Sequence, residues 1–278
     1  MSIRSRELAC GPGWRVHDVA CTAGPRDRPF EEQHLGYAIA IVTAGSFGYR
    51  STAGRSLLSP GALLLGGPGQ CFECGHEHAT GDRCLSFRFD PVLFEGIAAT
   101  VPGVHRVAIN AASLPQLPEL QPLLVEAEIA AVEADATALE EIAVRLGGAV
   151  LTMLGDSSRA STFPTSRDER RVTKALRRIE RDFRDELPLA VLAGEVAMSP
   201  YHFLRVFRQV VGLTPHQYAL RVRMQRAALQ LAESTHPVTR IALDCGFGDV
   251  PTFTRRFRRI MGRSPTAFRA RHARYGIA

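Results

Sequence analysis

Apolar residues in the first part of the chain fall in short, frequently interrupted runs. Residues 38–42 and 57–58 are apolar, and Gly, Ser or Pro intervenes every few positions across 36–65, as expected of strands joined by tight turns. Residues 84–89 alternate, with Leu85, Phe87 and Phe89 against Ser86 and Arg88, the period of a half-buried strand. Many short strands with frequent turn signals predict a small antiparallel barrel or jelly roll that runs to about Ile109.

The period then changes. SLPQLP at 113–118 is a breaker-rich connection, and 120–132 and 136–154 are rich in Ala, Leu and Glu. Leu139, Ile142, Leu146 and Val150 recur at helical spacing, which predicts a helical hairpin. Such a hairpin serves packing, dimerisation or coupling. The polar segment GDSSRASTFPTSRD at 155–168 reads as a linker. After it, Val172, Leu176, Ile179 and Phe183 follow at spacings of 4, 3 and 4, again helical.

From Leu187 onward two blocks resemble each other. Both read Pro-x-x-x-(Leu/Ile)-Ala, a turn, (Ser/Asp)-x-x-x-Phe-x-Arg-x-Phe-Arg, and then Gly-x-(Thr/Ser)-Pro; Phe203, Arg205 and Phe207 correspond to Phe253, Arg255 and Phe257 at an offset of 50 residues. One supersecondary unit is therefore used twice. Each unit reads as a helix-turn-helix: a short helix (190–196; 239–244), a turn (Ala197-Met198; Gly246-Phe247-Gly248), and an N-cap (Ser199; Asp249) opening a second helix. Pro200 and Pro251 fall in its first turn, where a missing N–H costs little. Phe203 and Phe207 are expected in the core, as are Phe253 and Phe257. Ser199, Tyr201, His202, Arg205 and Arg208 in the first unit, and Thr252, Arg255, Arg256 and Arg259 in the second, are the candidates for contact with base edges and phosphates. Between the units, 214–234 reads as one helix; about 18–20 residues at ~1.5 Å each span ~27–30 Å, near the ~34 Å between successive major grooves on one DNA face.

Charge sharpens this division. The chain has 278 residues and a net charge of +6. Residues 1–160 hold 12 Arg against 18 acids, a balance of −6, while 161–278 hold 22 Arg plus Lys against 10 acids, a balance of +12. A basic half beside an acidic one points to nucleic acid or an anionic membrane. Lys174 is the only lysine among 34 cationic residues, a bias that a GC-rich genome explains, so the choice of Arg carries no functional message. At 45% hydrophobic and 22% charged, the composition fits one or two folded domains rather than a disordered tail. No apolar run approaches ~18 residues, which argues against a transmembrane helix, and the N-terminus lacks the apolar stretch of a secretory signal. A cytoplasmic protein with no membrane partner, its six Cys reduced, is the expectation.

With the motifs Leu192-Ala193, Ser199-x-x-x-Phe203-x-Arg205-x-Phe207, Gly212-x-Thr214-Pro215, Ile241-Ala242-x-x-x-Gly246-Phe247, Phe253-x-Arg255-x-Phe257 and Gly262-x-Ser264-Pro265-x-x-Phe268-Arg269 in order and spacing, residues 168–272 resemble the AraC/XylS family of bacterial transcription regulators. Two departures stand out. Ala197 occupies a turn position where the family usually has Gly, and Pro251 stands where a base-contacting polar residue often sits, leaving Arg255 as the main reader in that unit. The resemblance implies double-stranded promoter DNA as partner, a homodimer, and RNA polymerase as a further partner of an activator. It also implies a cupin-like β-barrel ahead of the DNA-binding domain.

Such a barrel needs ligands inside it. GQCFECGHEHATGDRCLSFRF at 69–89 holds Cys71, Cys74, His76, His78 and Cys84, and thiolate with imidazole suits zinc or another transition metal. Cys74, His76, His78 and Cys84 are the candidate metal ligands, with Cys71 and His34 as further ones. Residues 79–82 read as a hairpin turn: with a three-residue loop His76 sits opposite Cys84 on one face, and with a four-residue loop Cys84 turns away. Cys10 and Cys21 fall in a loop-like start, and neither they nor Cys245 and His17 share in the cluster. The alternative is a polar network of His with small buried Cys.

The fold expected is α+β: a cupin-like antiparallel sensor barrel over 1–112, a helical hairpin over 113–155, a linker over 156–168, and over 169–278 an all-α domain of two helix-turn-helix units joined by a long helix. The function expected is a DNA-binding transcription regulator that senses a metal ion or thiol oxidation, or else a small organic effector without metal. The effector would order the strand pair 70–89 and shift the helices 120–154. A rival from another class is a cupin-type metalloenzyme with Glu73 or Glu77 as acid or base; the regulator reading has no catalytic residues.

Overall fold

The computed structural model describes residues 3–29, 31–76, 81–104, 107–155 and 165–272. The chain divides into two compact units, residues 1–173 and 174–278. Among the described residues, no helix is long and apolar enough to cross a membrane.

The first unit is built on two antiparallel sheets. Its strands are β1 (Ile3–Gly11), β2 (Trp14–Cys21), β3 (Glu31–Gln33), β4 (Tyr37–Gly45), β5 (Phe47–Ser51), β6 (Gly54–Leu58), β7 (Leu63–Gly66), β8 (Cys71–Gly75), β9 (Asp82–Phe89) and β10 (Ser113–Leu114). The larger sheet runs β1-β2-β9-β4-β7-β10 and the smaller β3-β8-β5-β6. Strand β4 shows why the pattern reads as it does. Tyr37, Ile39 and Ile41 face a helical layer, where they join Leu85, Phe87 and Phe89 of β9. Ala40 and Val42 face the smaller sheet, where they meet Phe47, Tyr49 and Cys84. A strand covered on both sides gives a continuous apolar run rather than an alternating one.

The helical layer consists of α1 (Pro91–Ala99), α2 (Gln121–Glu133) and α3 (Ala136–Gly155). Helices α2 and α3 form the expected hairpin, and Leu139, Ile142, Leu146 and Val150 are all buried against the larger sheet's core. Helix α1 lies inside the stretch expected to be strands. Asp90 caps it by accepting from Leu93 N, and Pro91 opens it, so the local signals for a helix start are there.

Two expectations about the first unit are corrected. Strands β8 and β9 do not pair: β8 pairs with β3 and β5, while β9 pairs with β2 and β4. The connection between them crosses from one sheet to the other, so 70–89 is not a hairpin and the loop-length alternatives for His76 and Cys84 fall away. Its residues 77–80 lie outside the described residues. Second, Cys10 and Cys21 are not in a loop but on β1 and β2.

The unit boundary falls within α4 (Ser166–Arg181); beyond it come α5 (Leu189–Glu195), α6 (Pro200–Val211), α7 (Pro215–Glu233), α8 (Val238–Asp244), α9 (Val250–Met261) and α10 (Pro265–His272). The repeat is structural as well as sequential. Phe203 and Phe207 pack with ring centroids 5.5 Å apart, as do Phe253 and Phe257, and all four are fully buried. Ser199 and Asp249 cap α6 and α9, and each helix ends on a left-handed glycine, Gly212 or Gly262. Helix α7 joins the two, opened by a reciprocal capping box of Thr214 and Gln217.

Candidate nucleic-acid interface and ligand-binding core

The two turns of the repeat use the same hydrogen bonds. Ala197 N donates to Gly194 O and Met198 N to Ala193 O, at 3.1 and 3.0 Å; Gly246 N donates to Leu243 O and Phe247 N to Ala242 O, at 2.9 and 3.0 Å. Both turns need a left-handed residue, and Ala197 has φ 51° where Gly246 has φ 79°. Each turn delivers the cap of its second helix: Ser199 Oγ accepts from His202 N and Asp249 Oδ1 from Thr252 N, at 3.3 and 2.6 Å.

With the phenylalanines buried, the opposite faces of α6 and α9 are solvent-facing. Arg205 and Arg255 stand at equivalent exposed positions. Each is braced one turn back: Arg205 Nη2 lies 3.2 Å from His202 Nδ1, and Arg255 Nη2 donates to Thr252 Oγ1 at 3.4 Å. An arginine fork held this way is suited to bidentate recognition of a guanine edge. Arg208 and Arg259 are exposed near the ends of their helices. Arg256 differs. Its repeat mate is the buried Val206, it is half-buried itself, and its charge adds to the burial that lowers the pKa of Arg223. It lies on the flank of α9, turned toward the packing. The offset that equates Arg205 with Arg255 also equates Arg208 with Arg258 and Arg259 with Gln209. Both Gln209 and Arg258 are exposed, and neither was singled out in the sequence. Tyr201 lies in the first turn of α6.

Arg223 on α7 is a further residue the sequence did not mark. Its guanidinium donates to four backbone carbonyls, Phe183 O at 2.6 Å, Gly246 O at 2.9 Å, Asp185 O at 2.8 Å and Arg184 O at 3.4 Å. It ties the segment after α4 to the turn of the second repeat. A Cβ at Gly246 would stand 2.4 Å from Arg184 O, so the same segment is pressed against that turn. No sequence period announces such a contact, because it is made by one long side chain to main chain.

In the first unit, the candidate ligands are distributed as follows. His76 Nε2 is 2.5 Å from Asp82 Oδ2, with only 3% and 7% of the two side chains exposed. Cys84 donates to Asp82 Oδ1 at 3.7 Å. Cys21 joins them: one donor atom each from Cys21, His76 and Asp82 all lie within 4.8 Å of one another. Cys74 is close enough to Asp82 and Cys21 that their charges add to burial in raising its thiol pKa. The remaining candidates lie elsewhere. Cys71 interacts with Glu31. His34 lies against Tyr49 Oη at 2.9 Å and stacks on Phe72 at 4.2 Å. His78 falls outside the described residues. Cys21, set apart from the cluster in the sequence, and Asp82, placed only in a turn there, are thus brought to it; the alternation of Trp14, Val16 and their neighbours was the available signal for strand β2. Separately, Phe47, Tyr49, Arg50, Arg55, Leu57 and Glu73 line a cleft of about 50 Å³.

Residues 20–147 match the AraC-like ligand binding domain family, and residues 192–271 match a helix-turn-helix domain family. The chain is similar to the HTH-type transcriptional activator RhaS of Klebsiella pneumoniae (strain 342), 27% identical over 256 residues covering 86% of this chain and 87% of that protein. It is 46% identical over 78 residues to the HTH-type transcriptional regulator Rv1931c of Mycobacterium tuberculosis, covering 28% of this chain and 30% of that one. It is 34% identical over 90 residues to the probable transcriptional regulator LumQ of Photobacterium leiognathi, covering 32% of this chain and 36% of that one. The match to these last two thus spans about a third of their length.

Proposed function

The chain belongs to the AraC family of DNA-binding transcription regulators, with an AraC-like ligand-binding domain ahead of a helix-turn-helix domain, and on that premise we propose that it binds promoter DNA through α6 and α9 in response to a ligand held by its first unit. The observation that carries this is the repeated Arg205 and Arg255 geometry: two braced guanidinium forks at equivalent exposed positions of two recognition helices. Helix α7 between them has 19 residues, about 28 Å of rise, which fits adjacent major grooves. Ser199, whose Oγ is committed to the cap, acts on the orientation of α6 and can still donate its hydroxyl proton to a phosphate. His202 and Thr252 brace the readers.

The cytoplasm, where the promoter lies, is where such a protein works. Pairing of two copies through the α2–α3 hairpin belongs to the same reading; it is supported by Val132 and Val144, large apolar side chains exposed by 67% and 45%. The cleft near Phe47 and Tyr49 takes only a few heavy atoms, far below the ~300–1,000 Å³ of drug-sized sites, which favours a small effector.

The test is selection of bound sequences from random duplexes by the full chain. Two conserved blocks centred about one helical turn apart are expected, and the double substitution Arg205→Ala/Arg255→Ala should abolish the enrichment. Recovery of the same motif by that double variant would refute the assignment. A promoter reporter then separates activation, with RNA polymerase recruited, from repression.

A further inference from the structure

The inner face of the two-sheet sandwich brings chemistry together at one end. Cys21 closes β2, His76 follows β8, and Asp82 opens β9, so three separate segments converge on one point. Cys84 reaches the same carboxylate from two residues further along β9. We propose that Cys21, His76, Asp82 and Cys84 form a binding site for a single transition-metal ion of the zinc class.

The donor set is the first argument. Two thiols, an imidazole and a carboxylate are the ligands zinc and its neighbours take, and four make a tetrahedral shell. Geometry is the second. Metal–ligand bonds of ~2.0–2.3 Å at tetrahedral angles put ligand atoms ~3.3–3.8 Å apart. The Cys84 Sγ to Asp82 Oδ1 separation is 3.7 Å, and the donor atoms of Cys21, His76 and Asp82 all lie within 4.8 Å of one another, so that binding an ion draws these donors closer together. The surroundings are the third. His76 is stacked on Phe47, with ring centroids 5.8 Å apart, and Ala23 N donates to Cys21 Sγ at 3.4 Å, the kind of outer contact that holds ligands in place.

A His76–Asp82 hydrogen bond alone accounts for two of the four groups. It leaves two thiols facing the same buried carboxylate, whose negative charge disfavours their ionisation. Burial and the negative charges of Asp82 and its neighbours hold the Cys84 thiol well above its ordinary pKa. A divalent cation reverses that balance: the thiols release their protons to solvent and coordinate as thiolates. The site keeps His76 and Cys84 of the set expected in the sequence and takes Cys21 and Asp82 in place of Cys74 and of His78, which lies outside the described residues.

The experiment uses the full chain, purified under reductant, stripped with chelator, and titrated with Co²⁺ and then Zn²⁺. The expected result is one equivalent of Co²⁺ per chain, with a thiolate-to-cobalt charge-transfer band in the near ultraviolet and the visible bands of tetrahedral cobalt, both displaced by Zn²⁺. Cys21→Ser and Asp82→Asn, each checked for an unchanged circular dichroism spectrum, should weaken Zn²⁺ by ~100-fold or more, since even outer-shell partners contribute ~10–100-fold. Cys71→Ser should leave it unchanged. In the unmodified chain, Zn²⁺ should slow alkylation of Cys21 at least tenfold, a readout that needs no variant. A titration without a thiolate band, a titration indifferent to both Cys21→Ser and Asp82→Asn, or a Cys21 disulfide to Cys74 or Cys84 in the reduced preparation would overturn the site. Metal stoichiometry is read without DNA, so failure here leaves the DNA-binding reading standing.

Discussion

Cys21 and Asp82 are directly opposed partners on β2 and β9. Their pairing is set by residues that have nothing to do with ligands. Leu85, Phe87 and Phe89 of β9 must face the helical layer, which turns Asp82, Cys84 and Ser86 toward the other sheet because side chains alternate. Slipping β9 by one residue would turn Arg88 toward the helices and force Leu85 and Phe87 into the places now held by the smaller Cys84 and Ser86 between the sheets. The apolar demand of the α1–α3 layer therefore holds the Cys, His and Asp cluster in register.

The equivalence of Arg205 and Arg255 predicts equivalent losses. Replacing either by Ala should weaken the selected site by ~1–3 kcal/mol and relax preference at the base pair it reads. Arg208→Ala and Arg258→Ala should instead weaken selected and random duplexes alike, and reduce the slope of log K against log salt by ~1 each. Binding curves on both duplexes across a salt series make the comparison; an equal loss on random DNA for Arg205→Ala would assign that residue to phosphate.

The two turns of the repeat should respond in opposite senses to swapped residues. Ala197 holds a left-handed conformation that costs a non-glycine residue ~1–2 kcal/mol, so Ala197→Gly should raise the stability of the second unit by ~1 kcal/mol. Gly246→Ala adds the same strain and drives a Cβ to 2.4 Å from Arg184 O; a loss of ~2 kcal/mol or more is expected. Urea unfolding monitored by circular dichroism measures both, and an Ala197→Gly variant less stable than the parent would contradict the strain argument.

Arg223 should matter to the second unit although it faces no base. Arg223→Ala removes four hydrogen bonds to backbone carbonyls and leaves acceptors unpaired, for an expected loss of ~2–4 kcal/mol. Arg223→Lys keeps the charge but not the fork, and should recover only part of it. If both variants unfold with the parent's midpoint, the contact is without energetic weight.

How far the sequence carried the fold depended on whether information was local. The second unit was legible because everything that defines it recurs within a dozen residues: cap, proline, paired phenylalanines, closing glycine. The exposed Arg positions followed from helical period alone, whereas Arg256, taken as a contact residue, sits half-buried at the position its buried repeat mate Val206 occupies. In the first unit the strands were legible and their pairing was not. Alternation says which faces a strand has, but nothing local says that β8 and β9, adjacent in the chain, belong to different sheets. The ligand cluster failed for the same reason. His76 and Cys84 were found by proximity in sequence, while Cys21 arrives from a strand remote in the chain.

His34, which is not among those ligands, supplies a pH-dependent element. Its ring is stacked on Phe72 at 4.2 Å and lies so close over Gly66 that a Cβ there would be 2.2 Å from Nε2. Its Nε2 meets Tyr49 Oη, which donates to Leu65 O. Burial, helped by the charge of Arg88, lowers its pKa from the ordinary 6.5 to about 4. In the window between those values the unfolded chain binds a proton that the folded chain excludes, so acid favours unfolding. The stability concerned is fully present above about pH 6.5 and is lost progressively as pH falls toward 4, with a slope of at most ~1.4 kcal/mol per pH unit for one proton. Asp18, held low by its hydrogen bonds from Arg83, acts below its ordinary 3.8 and does not overlap this window. Thermal unfolding of the full chain at pH 7.5, 6.5, 5.5 and 5.0 should therefore show the first unit's transition falling with acidification. In His34→Gln, which retains an amide able to meet Tyr49, the fall should be shallower, so that its deficit relative to the parent shrinks as the pH drops. Parallel curves for parent and variant would show that the ring at His34 stays as protonatable in the fold as it is in water.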